Sequence, residues 1–139
     1  AWPAHRLVIP WLRSDGTVQT LQRRRIDGAG EPKYVFPRGR RPAQPWGAEQ
    51  LTGAAGDAPI VLCEGAIDAL AMRQLAAVPG AGVLGVPGAD GWRAEWGAML
   101  SGRHVYIAAD VDDAGERAAK AWARSARASG ARGVSRGRP

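Results

Sequence analysis

Two clusters of acidic side chains stand at equivalent points of the sequence, each directly after a short apolar run. Glu64 and Asp68 follow the run PIVLC, and Asp110 and Asp112 follow the run HVYIAA. Such continuous apolar runs are typical of parallel strands that are covered on both faces. Ligands of open parallel sheets bind just outside the carboxyl ends of the strands. If the two strands are neighbours, four carboxylates converge there, and their repulsion is relieved when cations share the site.

Hard divalent cations with oxygen ligands are the natural partners of such a cluster, so the pattern predicts a site for Mg²⁺, with Mn²⁺ as the alternative. For single acidic residues, purely structural explanations also exist. Glu64 and Asp68 could simply occupy a favourable helix N-terminus. Asp113 and Glu116 resemble a capping box, which predicts Asp113 as the cap of the last helix, and Asp112 could also serve as a cap.

Strands alternate with helices over residues 57–139, and this alternation predicts an α/β fold: a Rossmann-like parallel sheet flanked by helices. Apolar residues at helical spacing predict the helices, and short apolar runs predict the strands. The expected helices are 66–77, 92–100 and 114–129, and the expected strands are 59–63, 83–86, 104–109 and 131–135.

The sequence pattern of residues 1–56 predicts a separate, small antiparallel β unit. Asp15-Gly16 lies between two apolar runs and indicates a hairpin of residues 5–12 with residues 18–26. The run KYVFP predicts a third short strand, which is followed by a basic, proline-rich loop. Residues 48–55 are expected to form either a short helix or a linker.

The net charge of +6 is unevenly distributed along the chain. Residues 57–116 carry nine Asp and Glu against three Arg and Lys, whereas the flanks on both sides are strongly basic. Basic flanks suit a polyanion such as nucleic acid, although they can also be ordinary solvated faces. The single cysteine, Cys63, excludes an internal disulfide and a cysteine zinc cluster. No apolar run is long enough to cross a membrane and no signal peptide is recognisable, so we expect a cytoplasmic protein without a membrane partner.

The spacing of the acidic residues resembles a known family. The pattern EG-x-x-D, followed later by D-x-D-x-A-G, is similar to the Toprim domain of bacterial primases, phage-type primase-helicases, topoisomerases and some nucleases. The resemblance covers residues 59–130. IVLCEGAIDAL and VLGVPG are closest to the phage and mitochondrial primase-helicase version, and DVDDAGERAA resembles the signature of both primase types. Residues 23–39 more loosely resemble the basic polymerase subdomain that precedes Toprim in primases.

This resemblance implies a function and a role for each matching residue. The implied function is Mg²⁺-dependent, template-directed synthesis of RNA primers, with single-stranded DNA, nucleoside triphosphates and the RNA primer as partners, next to a helicase or helicase domain. Glu64, Asp68, Asp110 and Asp112 are the implied catalytic residues. Of these, Glu64, Asp110 and Asp112 are the implied metal ligands. The implied nucleotide- and nucleic-acid-binding residues are Arg23, Arg25, Lys33, Arg38, Arg40 and Arg41.

The sequence also departs from the primase pattern. Primases of this family carry a further acidic motif after the last Toprim strand, and residues 133–139 contain no acid. A cysteine-rich zinc module and a helicase phosphate loop are also missing from the sequence. We therefore expect a piece of a larger protein with weak or no activity alone. Two alternatives stay open: a Toprim nuclease or topoisomerase, for which Tyr34 and Tyr106 look unsuited as nucleophiles, and a nucleic-acid-binding module that has lost catalysis.

Overall fold

The computed structural model describes residues 3–28 and 30–137 of the chain. The strands are β1 (Leu7–Leu12), β2 (Val18–Arg24), β3 (Tyr34–Val35), β4 (Ile60–Glu64), β5 (Gly82–Val86), β6 (His104–Ala108) and β7 (Gly133–Arg136). The helices are α1 (Ala66–Leu75) and α2 (Asp113–Ala128), and 3₁₀ segments cover Ala48–Leu51 and Ala94–Leu100. No helix in these described ranges is long and apolar enough to cross a membrane.

Strands β4 to β7 form one parallel sheet in the order β5-β4-β6-β7. Alternate residues of each strand face opposite sides, so the sheet has two cores. On one side Leu62 and Ile107 pack against Trp122 of α2, and on the other side Val61 and Cys63 pack around Ala69 of α1. This is the predicted arrangement of a parallel sheet between helices, and the α/β fold is confirmed.

The first three strands form the predicted antiparallel unit, in the order β1-β2-β3. Its hairpin turn is held by Asp15, whose carboxylate accepts hydrogen bonds from the backbone and the hydroxyl of Thr17. Ile9 and Trp11 are buried and share a core cluster with Ala66 at the start of α1. The small basic unit therefore packs against the end of the parallel sheet at which α1 begins.

The segment between the two units is attached to the edge of the parallel sheet. Trp46 forms an isolated antiparallel bridge with Gly85 of β5, and the side-chain amide of Gln50 bonds both backbone groups of Val83. The indole of Trp96 donates to the carbonyl of Ala43 at 2.7 Å. These bonds cover an edge that would otherwise expose unpaired backbone groups. The domain boundary between residues 56 and 57 stays a prediction.

The region predicted as a helix over residues 92–100 differs from the structure. It is a 3₁₀ segment that begins two residues later, at Ala94. The indole of Trp92 donates to Ser125 of α2, while that of Trp96 points to the preceding unit. Two large side chains anchored to different parts of the molecule hold the segment in this tighter winding.

Cys63 provides a probe of the parallel sheet. The side chain is 1% exposed, and burial raises the pKa of its thiol to about 12. Because the thiolate is the reactive form, we expect negligible labelling by a thiol reagent at neutral pH in the native protein. Labelling should become complete in denaturant. Rapid labelling without denaturant would show that β4 is not buried as described.

Candidate active site

The site begins with the pairing of β4 and β6. These strands are adjacent and parallel, and Cys63 is in register with Ala108. Glu64, which ends β4, and Asp110, two residues after β6, therefore meet at the carboxyl rim of the sheet. The backbone N–H of Asp110 points to Oε2 of Glu64 at 3.5 Å. The two acidic clusters that lie far apart in sequence are thus brought together, as predicted.

Two glycines permit the turns that bring these acids to the rim. Gly65 joins β4 to α1 with a φ of 103°, a backbone conformation that residues with a side chain rarely adopt. Gly115 lies in the first turn of α2, where an added Cβ would be 2.1 Å from the carbonyl oxygen of Asp110. The loop after β6 can therefore fold back tightly onto α2 only because position 115 has no side chain.

Asp112 caps α2, and the prediction that Asp113 does so is wrong. The Asp112 carboxylate accepts the backbone N–H of Gly115 at 2.7 Å, and Asp113 is the first residue of the helix. With the cap at Asp112, Glu116 falls one position too late to complete a capping box. Glu116 instead bonds the guanidinium of Arg136 at 2.9 Å. The cap thus uses one carboxylate oxygen of Asp112 and does not require the second oxygen.

Arg136 is a component of the rim that sequence analysis did not identify. It ends β7, the neighbour of β6, and its Nη2 donates to the Asp110 carbonyl at 3.2 Å as well as to Glu116. Arg136 therefore ties β7 to the loop that carries Asp110. The sequence did offer one signal for Arg136, which directly follows the last expected strand, residues 131–135. The rule that placed the acids at the carboxyl ends of the strands applies to this position as well.

The electrostatic environment at the rim opposes ionisation. Burial raises the pKa of Glu64, the charges of Asp110, Asp112 and Asp68 raise it further, and the N–H of Asp110 partly offsets them. Burial also raises the pKa of Asp68, as does the charge of Asp110. The charges of Asp110, Asp112 and Asp68 all act on Glu64, so a cation beside these carboxylates would be stabilised.

The basic residues expected to bind nucleotides and nucleic acid fall into three groups. Lys33 is close enough to lower the pKa of Asp68, and its ammonium lies over the ring of Tyr34. Arg25 is held by Asp27 in a two-point ion pair, so part of its charge is already neutralised. Arg23 is half-buried on β2, and the exposed arginines of the proline-rich loop are Arg38, Arg40 and Arg41.

A groove runs between that loop and the loop that follows β5. Its volume is about 720 Å³, and its walls include Arg38 and Arg41 on one side and Pro87, Gly88 and Trp92 on the other. Because β5 pairs with β4 and ends at the same rim, the groove opens on the side of the sheet rim next to β5, and Asp90 and Arg93 also line it. Its volume is that of a nucleotide-sized ligand.

The donor set fits Mg²⁺. Carboxylate oxygens are its preferred protein ligands, and the ion usually keeps several waters and takes one or two carboxylates together with substrate phosphates. Glu64, Asp110 and Asp112 are the residues that would hold it. Among residues 3–28 and 30–137, no group of three or more His, Cys, Asp and Glu side chains is close enough together to hold a metal ion, so these carboxylates would share the ion with waters and substrate phosphates.

The parallel sheet with acids at its carboxyl rim defines a Toprim fold. A family model described as Toprim-like matches residues 61–139, more than half of the chain, and the chain belongs to this family. A comparison with curated protein sequences found no match.

Solved primase structures are similar over most of the chain. The crystal structure of the Aquifex aeolicus primase (zinc binding and RNA polymerase domains) has a TM-score of 0.74 and 25% identity, and covers 93% of this chain and 33% of that one. A DnaG primase catalytic domain bound to ssDNA has a TM-score of 0.66, 22% identity and coverage of 88% and 39%. A DNA primase domain from Pseudomonas aeruginosa has a TM-score of 0.62, 22% identity and coverage of 87% and 38%. The resemblance to primase Toprim domains is confirmed, and the chain spans little more than a third of these proteins.

Replacement of Gly115 by Ala tests the tight turn. Alanine favours a helix over glycine by about 1 kcal/mol, but its Cβ would collide with the Asp110 carbonyl. We expect Gly115→Ala to lower the free energy of unfolding by roughly 1–3 kcal/mol in a denaturant titration. Gly56→Ala is the control, since an added Cβ there has no neighbour within 4 Å. Equal stability of the two variants would rule out the close approach at Gly115.

Burial of the Glu64 charge, together with repulsion from the neighbouring carboxylates, predicts a gain in stability when Glu64 is neutralised. The pKa of Glu64 is raised in the folded state, so the free energy of unfolding falls as the pH rises from the unfolded-state pKa through the folded-state pKa. The cost of holding the ionised carboxylate at the rim is therefore fully present at neutral pH. We expect Glu64→Gln to raise the Tm at pH 7 with EDTA present, by roughly 1–3 °C. Mg²⁺ should stabilise the unmodified protein more than the variant. Asp57→Asn, at the amino end of β4, is the control; a drop in Tm for Glu64→Gln in EDTA would contradict the repulsion.

Proposed function

We propose that this chain is part of the catalytic core of a DNA primase, in which Mg²⁺-dependent nucleotidyl transfer builds RNA primers on single-stranded DNA. The observation that carries the proposal is the convergence of Glu64 with Asp110 and Asp112 at the sheet rim, beside a basic unit and a nucleotide-sized groove. Similarity to primase cores supports the same reaction class.

Each part of the site has a physical task in this proposal. Glu64, Asp110 and Asp112 would hold Mg²⁺, and the bound ion would supply the positive charge that neutralises the triphosphate during an in-line displacement. Asp68 keeps negative potential at the rim. Lys33, whose charge acts on Asp68, would bind nucleotide phosphates.

The loop arginines complete the proposed site. Arg38 and Arg41 line the groove and would hold the backbone of template or primer without reading its sequence. Arg40 is exposed on the same loop, and Arg23 and Arg25 lie at the end of β2. A helicase or helicase domain is the proposed partner for the whole protein, which would supply single-stranded template.

A second candidate function is a nucleic-acid-binding module without catalysis. It is favoured by the spacing of the acids, because no three of them in the described part of the chain are close enough together to hold a metal ion. In that case the basic loop would still bind a strand, but nucleotides would not be joined. If the chain is part of a primase, neutralising the acids reduces product formation. If it only binds nucleic acid, the same change has no product to affect.

Primer synthesis can be measured with a single-stranded template, labelled ribonucleotides and Mg²⁺, using the chain within its full-length protein. We expect short RNA products whose yield falls on the order of 100-fold or more for Glu64→Gln and Asp110→Asn, because each removes a charge that the transition state uses. Asp57→Asn, an exposed acid remote from the rim, should keep normal activity.

The outcomes separate the candidate functions. RNA products that survive both substitutions would exclude the rim as the site of synthesis. Shortened DNA in place of RNA would indicate a nuclease. Salt-sensitive binding without either product would support the module.

A further inference from the structure

The outer face of α2 carries a row of cations that the proposed site does not use. Arg117, Lys120, Arg124 and Arg127 are all exposed, and their spacing of three and four residues places them on one side of the helix. The opposite side of the helix is buried against the sheet around Trp122. We call these four residues the α2 ridge.

The ridge cations have no acidic partners within residues 3–28 and 30–137. The ion pairs of this region use other arginines: Arg25, Arg73, Arg93, Arg132 and Arg136. Glu116, the acid one turn before Lys120, is already bonded to Arg136 at 2.9 Å. The row of positive charge therefore faces solvent without an ion pair in these ranges, while Asp90 and Glu116 line the grooves on either side of it.

The chemistry of the ridge selects a polyanion over a protein or a membrane. Protein interfaces combine arginine with aromatic anchors such as Trp and Tyr in buried pockets, and membrane-surface helices need exposed apolar side chains. The exposed large hydrophobic side chains of the described residues all lie outside α2. Between the ridge cations the helix presents mainly alanine, which offers no anchor. Charge alone remains, and charge alone is sufficient to bind phosphates.

The dimensions fit a single nucleic-acid backbone. The ridge extends over ten residue steps of helix, about 15 Å. One strand carries a phosphate on every nucleotide, so a ridge of this length can contact several consecutive phosphates. Two shallow grooves flank Lys120 and Arg124, one towards β7 and one towards Trp92, and leave both side chains accessible.

We propose that the α2 ridge binds the sugar–phosphate backbone of a nucleic-acid strand, at a surface separate from the groove of the rim. Helix α2 begins beside the rim at Asp112 and runs to the opposite end of the sheet. A strand on the ridge therefore passes along the back of the sheet and contacts neither the acids nor the loop arginines. Binding is independent of base sequence and does not depend on whether the rim joins nucleotides.

Salt dependence of binding tests the ridge directly. Affinity for a labelled oligothymidylate is measured by fluorescence anisotropy between about 50 mM and 200 mM KCl. Each cation that contacts a single strand contributes about 0.7 to the slope of log K against log salt. We expect Lys120→Ala/Arg124→Ala to reduce the slope by about 1.4 and to weaken binding at every salt concentration.

Two controls match this variant. Arg73→Ala/Arg132→Ala removes the same net charge from arginines that are paired with Glu49 and Asp57, and should keep the slope. Arg117→Lys/Arg124→Lys keeps the charge and should also keep it.

The outcomes distinguish this site from the rim. Glu64→Gln should leave the slope unchanged even if synthesis is lost, so the two sites can fail separately. Unchanged binding by Lys120→Ala/Arg124→Ala would overturn the proposal. So would ridge-dependent binding to phosphatidylserine vesicles by a protein that does not bind the oligonucleotide.

Discussion

The structure depends on one constraint, the parallel pairing of β4 with β6. This pairing is what places Glu64 beside Asp110, although 46 positions separate them. Because parallel strands end at the same edge, the chain needs only a short turn after each strand to deliver a carboxylate to that edge. The helices on both faces, the bridge at Trp46 and the small antiparallel unit all bury or support these two strands. A change that shifted their register by one residue would point Glu64 to the other face.

The rim is also where the fold accepts an electrostatic cost. Desolvation and mutual repulsion raise the pKa of Glu64 and Asp68, so the folded chain holds charges that the unfolded chain would separate. The surrounding backbone holds them in place. Gly115 lets the loop close, Asp112 caps α2, and Arg136 bonds the Asp110 carbonyl. Functional sites often retain such unfavourable arrangements, because a ligand of opposite charge recovers the lost free energy on binding.

Much of this could be predicted from the sequence, because strong periodic signals specify elements and a topological rule specifies where their ends meet. The position of the acids followed from PIVLC and HVYIAA alone. Details that depend on tertiary contacts could not be predicted. From the sequence, both Asp112 and Asp113 were possible caps of α2. A capping box with Asp113 would use the side chain of Glu116, but Glu116 instead bonds Arg136, 20 residues later on β7. The winding of residues 94–100 likewise depends on where the indoles of Trp92 and Trp96 find partners.

The separation of charge along the chain has a structural meaning that composition alone does not show. Four acids of the acidic centre, Glu64, Asp68, Asp110 and Asp112, lie at one rim. The basic flanks become the loop arginines on one side and the α2 ridge on another. In the proposed function, a nucleic-acid strand would be attracted to the basic surfaces around the rim and repelled by the rim itself. A triphosphate would enter the acidic cluster together with cations that neutralise both. Such an arrangement would keep strand binding and metal-dependent chemistry apart on a small domain, since each requires the opposite sign of potential.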